Sequence, residues 1–283
     1  EAILVFGNHR LRFSGVEAIV IDGTGLDSGF TFTMAEGAND LTVDSPAEGW
    51  SRVRGFANGV AFEDLYFSNV ESVILDATLG DTAADGADRV TIASSLVATG
   101  LKNFDVLTGE GDDTIVIGTN SLAPPVSGGV VTLDAGAGKD RLIGSGADTL
   151  WRVTGFNEGS VYGMQFRGVE DLEGAADNKD HFLFEAGASL SGGIHGGDRG
   201  FDTLEMLETD FSRAVFAAEG PDSGWVILDE VSLRYAGLEP ILVNAGNANE
   251  IVFNLTANDD IAELSSAFAG NLTLTSLNAT FEL

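Results

Sequence analysis

The chain has 283 residues, of which 44 are acidic and 14 are basic, so its formal net charge is -30 at pH 7. A polyanion of this kind repels nucleic acid and anionic membrane surfaces, so neither is an expected partner. Cysteine is absent, which excludes disulfides and thiolate metal sites. The sequence has no run of about 18 apolar residues, so no membrane-spanning helix is expected.

The chain begins and ends in strand-like sequence. It opens with EAILVF, and its last run is LTLTSLNATFEL. We expect residues 1–283 to form a single elongated module, and we interpret it as a fragment of a longer chain.

A five-residue string recurs along the sequence and anchors the repeats. It has the form Phe-x-Gly/Asn-Val/Leu-Glu, with an aromatic first position, and its copies occupy residues 13–17 (FSGVE), 67–71 (FSNVE), 166–170 (FRGVE) and 235–239 (YAGLE). Side chains alternate between the two faces of a strand. We therefore predict that the Phe and Val of each copy are buried and that the Glu faces outwards.

Each of the last three copies follows a tryptophan. The segments that begin at these tryptophans run over residues 50–67, 151–166 and 225–235, and each predicts a β-hairpin. The expected turns include Asn157–Gly159 in the second and Asp229–Glu230 in the third. Recurrence of Trp50, Trp151 and Trp225 at one position favours a packing role, although stacking on sugar rings is an alternative.

A second repeat combines glycine, aspartate and a short apolar run. The pattern Gly-x-Gly-x-Asp-x-apolar fits segments 109–115, 136–142 and 144–150, and segment 198–204 fits with Asp198 in place of the first glycine. Looser relatives are DGADRVTI at 85–92, DNKDHFLF at 177–184 and NANEIVF at 247–253. The β-branched residues nearby predict short strands at 90–92, 114–117 and 130–133.

Helix signals are scarce. The best helix candidate is residues 259–270, with Ile261, Leu264 and Phe268 spaced for one helical face; a helix of one or two turns is expected there, and a loop is the alternative. Residues 120–129 are expected to form a loop. Short strands joined by glycine turns favour an all-β fold, a parallel β-solenoid (β-helix) with inserted β-hairpins.

The acidic glycine turns resemble the RTX-type repeats of secreted bacterial proteins, and the tryptophan hairpins look like repeats of giant bacterial surface adhesins of the haemagglutinin kind. The RTX resemblance implies export and Ca²⁺ held by aspartates and backbone carbonyls of the turns. Carried over by position, the ligands would be Asp113, Asp140, Asp148 and Asp202, with added charge from Asp112 and Asp198. The alternative is that glycine and aspartate simply build soluble turns.

These features predict a structural or adhesive segment of a large secreted or cell-surface bacterial protein, not an enzyme. Its expected partners are neighbouring repeats of the same chain, further copies of itself, or extracellular polysaccharide. A polysaccharide lyase or epimerase with a β-helix fold is the alternative, as is a calcium-dependent sugar-binding module. Lyases and epimerases need acids clustered with basic groups, whereas the basic residues here are scattered, and His9, His181 and His195 fit no catalytic motif.

Overall fold

The computed structural model describes residues 2–6, 9–13, 17–24, 29–82, 86–120, 129–207, 210–244, 247–266 and 273–281. Within these residues the chain forms β-strands and no helix, which confirms the all-β prediction. The strands, in chain order, are β1 (Ala2–Phe6), β2 (His9–Phe13), β3 (Ile19–Asp22), β4 (Phe30–Thr33), β5 (Asn39–Ala47), β6 (Trp50–Ala57), β7 (Val60–Ala61), β8 (Leu65–Ser68), β9 (Ser72–Asp76), β10 (Arg89–Ser94), β11 (Asn103–Leu107), β12 (Thr114–Asn120), β13 (Val130–Asp134), β14 (Arg141–Ile143), β15 (Thr149–Gly155), β16 (Glu158–Val161), β17 (Met164–Arg167), β18 (Asp171–Glu173), β19 (Asp180–Phe184), β20 (Gly193–His195), β21 (Thr203–Leu207), β22 (Asp210–Ala218), β23 (Ser223–Leu228), β24 (Val231–Ala236), β25 (Ile241–Asn244), β26 (Asn247–Asn254), β27 (Ala262–Ser265) and β28 (Thr273–Ser276).

The chain divides into two compact units. Unit 1 comprises Glu1–Ser145 and Glu158–Glu170, and unit 2 comprises Gly146–Asn157 and Asp171–Leu283. Each unit contains strands of two large sheets, and most neighbouring strands from successive segments are parallel.

Unit 1 is built from two parallel ladders. One runs β4-β9-β11-β13-β17 and the other β5-β10-β12-β14. The chain alternates between them, so that an acidic turn joins a strand of the first ladder to the next strand of the second. The predicted strands at 90–92, 114–117 and 130–133 lie in β10, β12 and β13.

The core of unit 1 consists of columns of stacked apolar side chains. The register pairs Phe32 with Leu75, Leu75 with Val106, Val106 with Leu133, and Leu133 with Phe166. All five side chains are at most 2% exposed. The alternation of apolar and polar residues in each strand therefore gives every segment one buried face, and the next segment covers its edge.

The Phe-x-Gly-Val-Glu strings contribute to these cores, as predicted. Phe67 and Val70 are buried in the second copy, and Phe166 and Val169 in the third. Tyr235 and Leu238 of the fourth copy are also buried. The side chain of Phe13 and residue Val16, in the first copy, lie outside the described residues.

The tryptophan segments form antiparallel pairs, and the second segment has one more turn than predicted. β6 pairs with β7 and β8, and β23 pairs with β24 around the predicted Asp229–Glu230 turn. In the second segment the hairpin joins β16 to β17, and its turn is Tyr162–Gly163, both with positive φ. The predicted turn at Asn157–Gly159 is confirmed at Asn157, which has positive φ in a turn between β15 and β16, whereas Glu158 and Gly159 already belong to β16.

Unit 2 repeats the parallel pattern with a second set of strands. Its first ladder is β15-β19-β21-β25 and its second is β18-β20-β24. Trp151 stacks on Phe182 with ring centroids 5.3 Å apart, and both side chains are fully buried. Outside these ladders, β22 pairs antiparallel with β23 and parallel with β26.

The predicted helix over residues 259–270 is wrong in its described part. Residues 262–265 form β27, which pairs antiparallel with β28. Ile261 and Leu264 are each 57% exposed, so their helical spacing does not bury an apolar face. Residues 267–270 lie outside the described part, as do residues 121–128 of the predicted 120–129 loop, in which Asn120 ends β12.

Candidate functional site

Two of the acidic glycine turns in unit 1 stack directly on each other. Residues 108–113 follow β11 and residues 135–140 follow β13, and a parallel bridge pairs Glu110 with Ala137. The Ala137 amide donates to the Gly109 carbonyl (2.8 Å), and the Gly111 amide donates to the Ala137 carbonyl (3.0 Å). The turns thereby extend the parallel ladder between the sheet strands.

The stacking leaves no room for side chains at the turn glycines. A Cβ added at Gly136 would lie 2.0 Å from the Gly109 carbonyl oxygen, and one at Gly138 would lie 1.7 Å from the Gly111 oxygen. Both residues also have positive φ. Glycine is thus required here for close approach of two backbones as well as for conformation.

The residues that immediately precede or begin the strands of the second ladder form a column of backbone-to-carboxylate hydrogen bonds. The Asn39 amide donates to Asp88 Oδ1 (2.7 Å), the Asp88 amide to Asp113 Oδ1 (2.7 Å), and the Asp113 amide to Asp140 Oδ1 (2.8 Å). The Asp140 amide continues the series by donating to Glu170 Oε2 (2.7 Å). We refer to Asp88, Asp113 and Asp140, with Asn39 and Glu170 at the two ends, as the carboxyl ladder.

The three aspartates of the carboxyl ladder are buried, with exposed fractions of 2% or less. Burial raises the pKa of Asp88 to about 7, with smaller contributions from the nearby Asp113 and Asp81 carboxylates. Burial likewise raises the pKa of Asp140 to about 7, aided by Asp113, Glu170 and Asp112. The pKa of Asp113 is also raised by burial, against the opposing effects of the Thr108 hydroxyl and the Asp88 amide.

Unit 2 contains a shorter version of the same arrangement. The Asp180 amide donates to Asp202 Oδ1 (2.7 Å), and both side chains are buried. Burial raises the pKa of Asp180 to about 6 and also raises the pKa of Asp202. The Lys179 amide donates to Asp148 Oδ1 (2.9 Å), and the Asp148 charge adds to the rise at Asp202.

The six aspartates predicted as calcium ligands fall into two groups. Asp113, Asp140 and Asp202 are buried, whereas Asp112, Asp148 and Asp198 are exposed. The structure brings Asp112, Asp113 and Asp140 together in unit 1, where Asp112 accepts the Lys139 amide (2.9 Å), and it brings Asp148 near Asp202 in unit 2. In the described part of the chain no three acidic or histidine side chains converge as a set of metal ligands.

Three acidic members of these columns were not predicted as site residues: Asp88, Glu170 and Asp180. Asp88 and Asp180 lie in the looser repeats DGADRVTI and DNKDHFLF, without the Gly-x-Gly pair. Their position along the chain could have identified Asp88 and Asp180, because each of these aspartates precedes or begins a strand, as Asp113 does. Glu170, expected to face outwards, instead reaches back to the Asp140 amide.

The remaining candidate side chains take structural partners. Trp151 is buried, which agrees with a packing role, while Trp225 is partly exposed and donates to Glu219 Oε1 (3.0 Å). His181 Nε2 lies 2.9 Å from Glu205 Oε2, and His195 Nδ1 accepts the Gly197 amide (3.0 Å).

None of the segments described by the structure forms a helix with the length and apolar character needed to cross a membrane. No protein-family model matches the chain, and no match was found among curated proteins or solved structures.

Proposed function

We propose that the chain is a structural or adhesive segment of a large secreted bacterial surface or extracellular-matrix protein, built as a parallel β-solenoid and stabilised by Ca²⁺ at its acidic turns. The observation that carries the proposal is the parallel stacking of successive segments in both units. Each added segment extends two sheets and a column of turns without needing a new type of core. Such growth by repetition suits a protein that has to build an extended scaffold.

The sheet edges support partners of the same kind. Among the described residues, β2 and β3 in unit 1 and β25 and β26 in unit 2 each end the order of a sheet. An edge strand offers unpaired backbone groups to another strand. Neighbouring repeats of the same chain or further copies of the protein would fit these edges.

The use made of the charged side chains also favours a scaffold over an enzyme. Arg52 donates to both oxygens of Asp44 (2.9 and 2.8 Å) and lies 3.0 Å from Asp64, and Arg167 pairs with Asp134 (2.6 Å). The Arg52–Asp44 and Arg167–Asp134 pairs join neighbouring strands, so both guanidinium groups have a structural role, and paired guanidinium groups do not accept protons.

Calcium is proposed at the same turns, with the carboxylates of Asp112, Asp113, Asp140, Asp148, Asp198 and Asp202 as its donors. Carboxylate and backbone carbonyl oxygens suit Ca²⁺, which takes six to eight such ligands. The exposed Asp112, Asp148 and Asp198 are directly accessible to an ion. Asp113, Asp140 and Asp202 each accept a backbone amide through Oδ1, and Oδ2 of each is the proposed calcium ligand.

The test is an adhesion assay with the 283-residue chain coupled to beads, in excess Ca²⁺ or in EDTA. We expect the beads to cluster or to bind surfaces coated with uronate polysaccharide in Ca²⁺, and to release no unsaturated sugar product. The variant Asp112→Asn/Asp148→Asn/Asp198→Asn should lose the effect of Ca²⁺ while melting in EDTA at about the parent temperature.

Two results would contradict the proposal. Steady release of sugar product would show an enzyme and remove the scaffold interpretation. Adhesion and melting that ignore Ca²⁺ in the parent would remove calcium and leave the acidic turns as soluble connections.

A further inference from the structure

The apolar core of unit 1 continues to a sheet edge that no other described strand covers. The register pairs Leu11 of β2 with Leu4 of β1, and Leu4 with Phe32, the first member of the apolar column described above. Leu4 is 2% exposed because strands lie on both sides of it, whereas Leu11 is 56% exposed. Among the described residues β2 ends its sheet, so the column stops at a half-exposed leucine.

The same edge strand is basic, although the chain as a whole is strongly acidic. Arg10 and Arg12 lie on either side of Leu11 in the five-residue strand β2, and all three side chains are exposed. Successive side chains of a strand point to opposite faces, so the two arginines share the face opposite to Leu11. With 14 basic residues among 283, two arginines in one short strand concentrate positive charge at this edge.

Unit 2 contains an edge with the complementary features. Among the described residues β26 ends the other large sheet, and its Ile251 is in register with Ala214 of β22. Ala214 is fully buried, whereas Ile251 is 44% exposed. Glu250, next to Ile251 on β26, pairs with Arg213 on β22 (2.7 Å), and its side chain is 58% exposed. This edge therefore offers an uncovered apolar side chain beside an accessible carboxylate.

The charges decide which of these edges fit each other. Two copies of β2 paired antiparallel about Leu11 would place Arg10 of each opposite Arg12 of the other, and like charges directly opposite each other destabilise a sheet. When β2 instead pairs with β26 so that Leu11 lies opposite Ile251, an arginine lies opposite Glu250 in either strand direction. Arg10 takes that place if the strands are parallel, and Arg12 takes it if they are antiparallel.

The arrangement at β26 already contains half of such a contact. Arg213 and Glu250 form a cross-strand pair on the outer face, while Ala214 and Ile251 are register partners on the core side. A further strand with leucine on the core side and arginine on the outer face would extend both rows by one member. β2 has this pattern, and its unpaired backbone groups can join those of β26.

We propose that β2 of one copy of the chain pairs with β26 of a second copy, so that the protein assembles with itself through two different edges. This inference rests on the proposed scaffold function and specifies how its copies join. A contact between unlike surfaces leaves an unused edge of each kind at the ends of an open assembly, so it can repeat copy after copy or close into a ring. Calcium is not required for it.

The experiment uses two variants that each block one edge and keep the other, Leu11→Asp and Ile251→Asp. Analytical ultracentrifugation is performed in EDTA on the parent, on each variant and on their equimolar mixture. We expect the parent to form dimers or larger species as its concentration rises, and each variant alone to remain monomeric. The mixture should form dimers with one copy of each variant and nothing larger, because only one pair of complementary edges remains. Leu79→Asp, at another exposed leucine of unit 1, is the control and should assemble as the parent does.

A second measurement covers the case in which an aspartate variant does not fold. Copies that carry Leu11→Cys are mixed with copies that carry Ile251→Cys, since the chain has no cysteine of its own. Mild oxidation should join them several times faster than it joins Leu11→Cys copies to Leu264→Cys copies, whose cysteine would be at an equally exposed position on β27.

Three results would overturn the proposal: a parent that stays monomeric at every concentration, folded blocking variants that assemble as the parent does or stay monomeric when mixed, or equal rates for the two cysteine mixtures. A monomeric parent would mean that Arg10 and Arg12 keep the β2 edge unpaired. If that parent still bound uronate polysaccharide in Ca²⁺, the proposed adhesive function would remain while this inference failed.

Discussion

Gly136 and Asp140 show how single residues fix the acidic turns. Gly136 lets its turn approach the one before it to a distance that any side chain would prevent, and Asp140 then bonds the amide of Asp113 across the gap. The two residue types recur together because one provides the close approach and the other satisfies a backbone donor that the approach buries.

At this scale we predict that Gly136→Ala destabilises unit 1 by about 2–4 kcal/mol, since its Cβ would overlap the Gly109 carbonyl in addition to the strain of φ +90°. Gly59→Ala is the matched control, because Gly59 has φ +73° but nothing within 4 Å of the added Cβ. The control should cost about 1–2 kcal/mol. Urea unfolding of both variants measures the difference, and equal losses would show that the turns are not stacked.

The sequence predicted these turns better than it predicted their chemistry. The Gly-x-Gly-x-Asp spacing identified Asp113, Asp140 and Asp202, all of which lie in the hydrogen-bonded columns. It could not show that these side chains are buried and bonded to backbone amides, because the partner of each lies 22–27 residues away. Burial of this kind depends on which segment packs next.

Strands in this protein are predictable one by one, while their pairing is not. Their β-branched residues, which favour extended backbone, indicated β10, β12 and β13. The Tyr162–Gly163 turn was missed because a residue other than glycine, asparagine or aspartate rarely adopts positive φ, so Tyr162 gave no turn signal.

At the scale of the element we predict that Phe166→Ala costs about 3–5 kcal/mol, the usual range for truncating a fully packed aromatic side chain. Phe166 is 2% exposed on β17 and continues the column of Leu133. Phe56→Ala is the control within the same unit, because Phe56 is 48% exposed and should cost below about 1 kcal/mol. Comparable losses in chemical denaturation would contradict the placement of the repeated string in the core.

At the scale of the whole molecule, the net charge of -30 produces electrostatic repulsion that the folded state has to overcome. Segments that stack in parallel bring equivalent acidic turns close together, and their repulsion opposes folding. Backbone amides directed at the carboxylates of the carboxyl ladder reduce that repulsion within unit 1. Composition alone indicated an acidic protein but not how its acids are accommodated, since that depends on the register of the strands.

The parallel register of successive segments is the central claim, and cysteine cross-linking tests it most directly because the chain contains no cysteine of its own. Ile74, Asp105 and Thr132 are register partners on β9, β11 and β13, and each is partly exposed. The account predicts that Ile74→Cys/Asp105→Cys and Asp105→Cys/Thr132→Cys both form a disulfide rapidly on mild oxidation. The pair Asp105→Cys/Asp134→Cys, offset by two residues, should form it slowly. Equal rates for the aligned and offset pairs, or no cross-link in either aligned pair, would contradict the stacked arrangement on which the carboxyl ladder and the scaffold proposal depend.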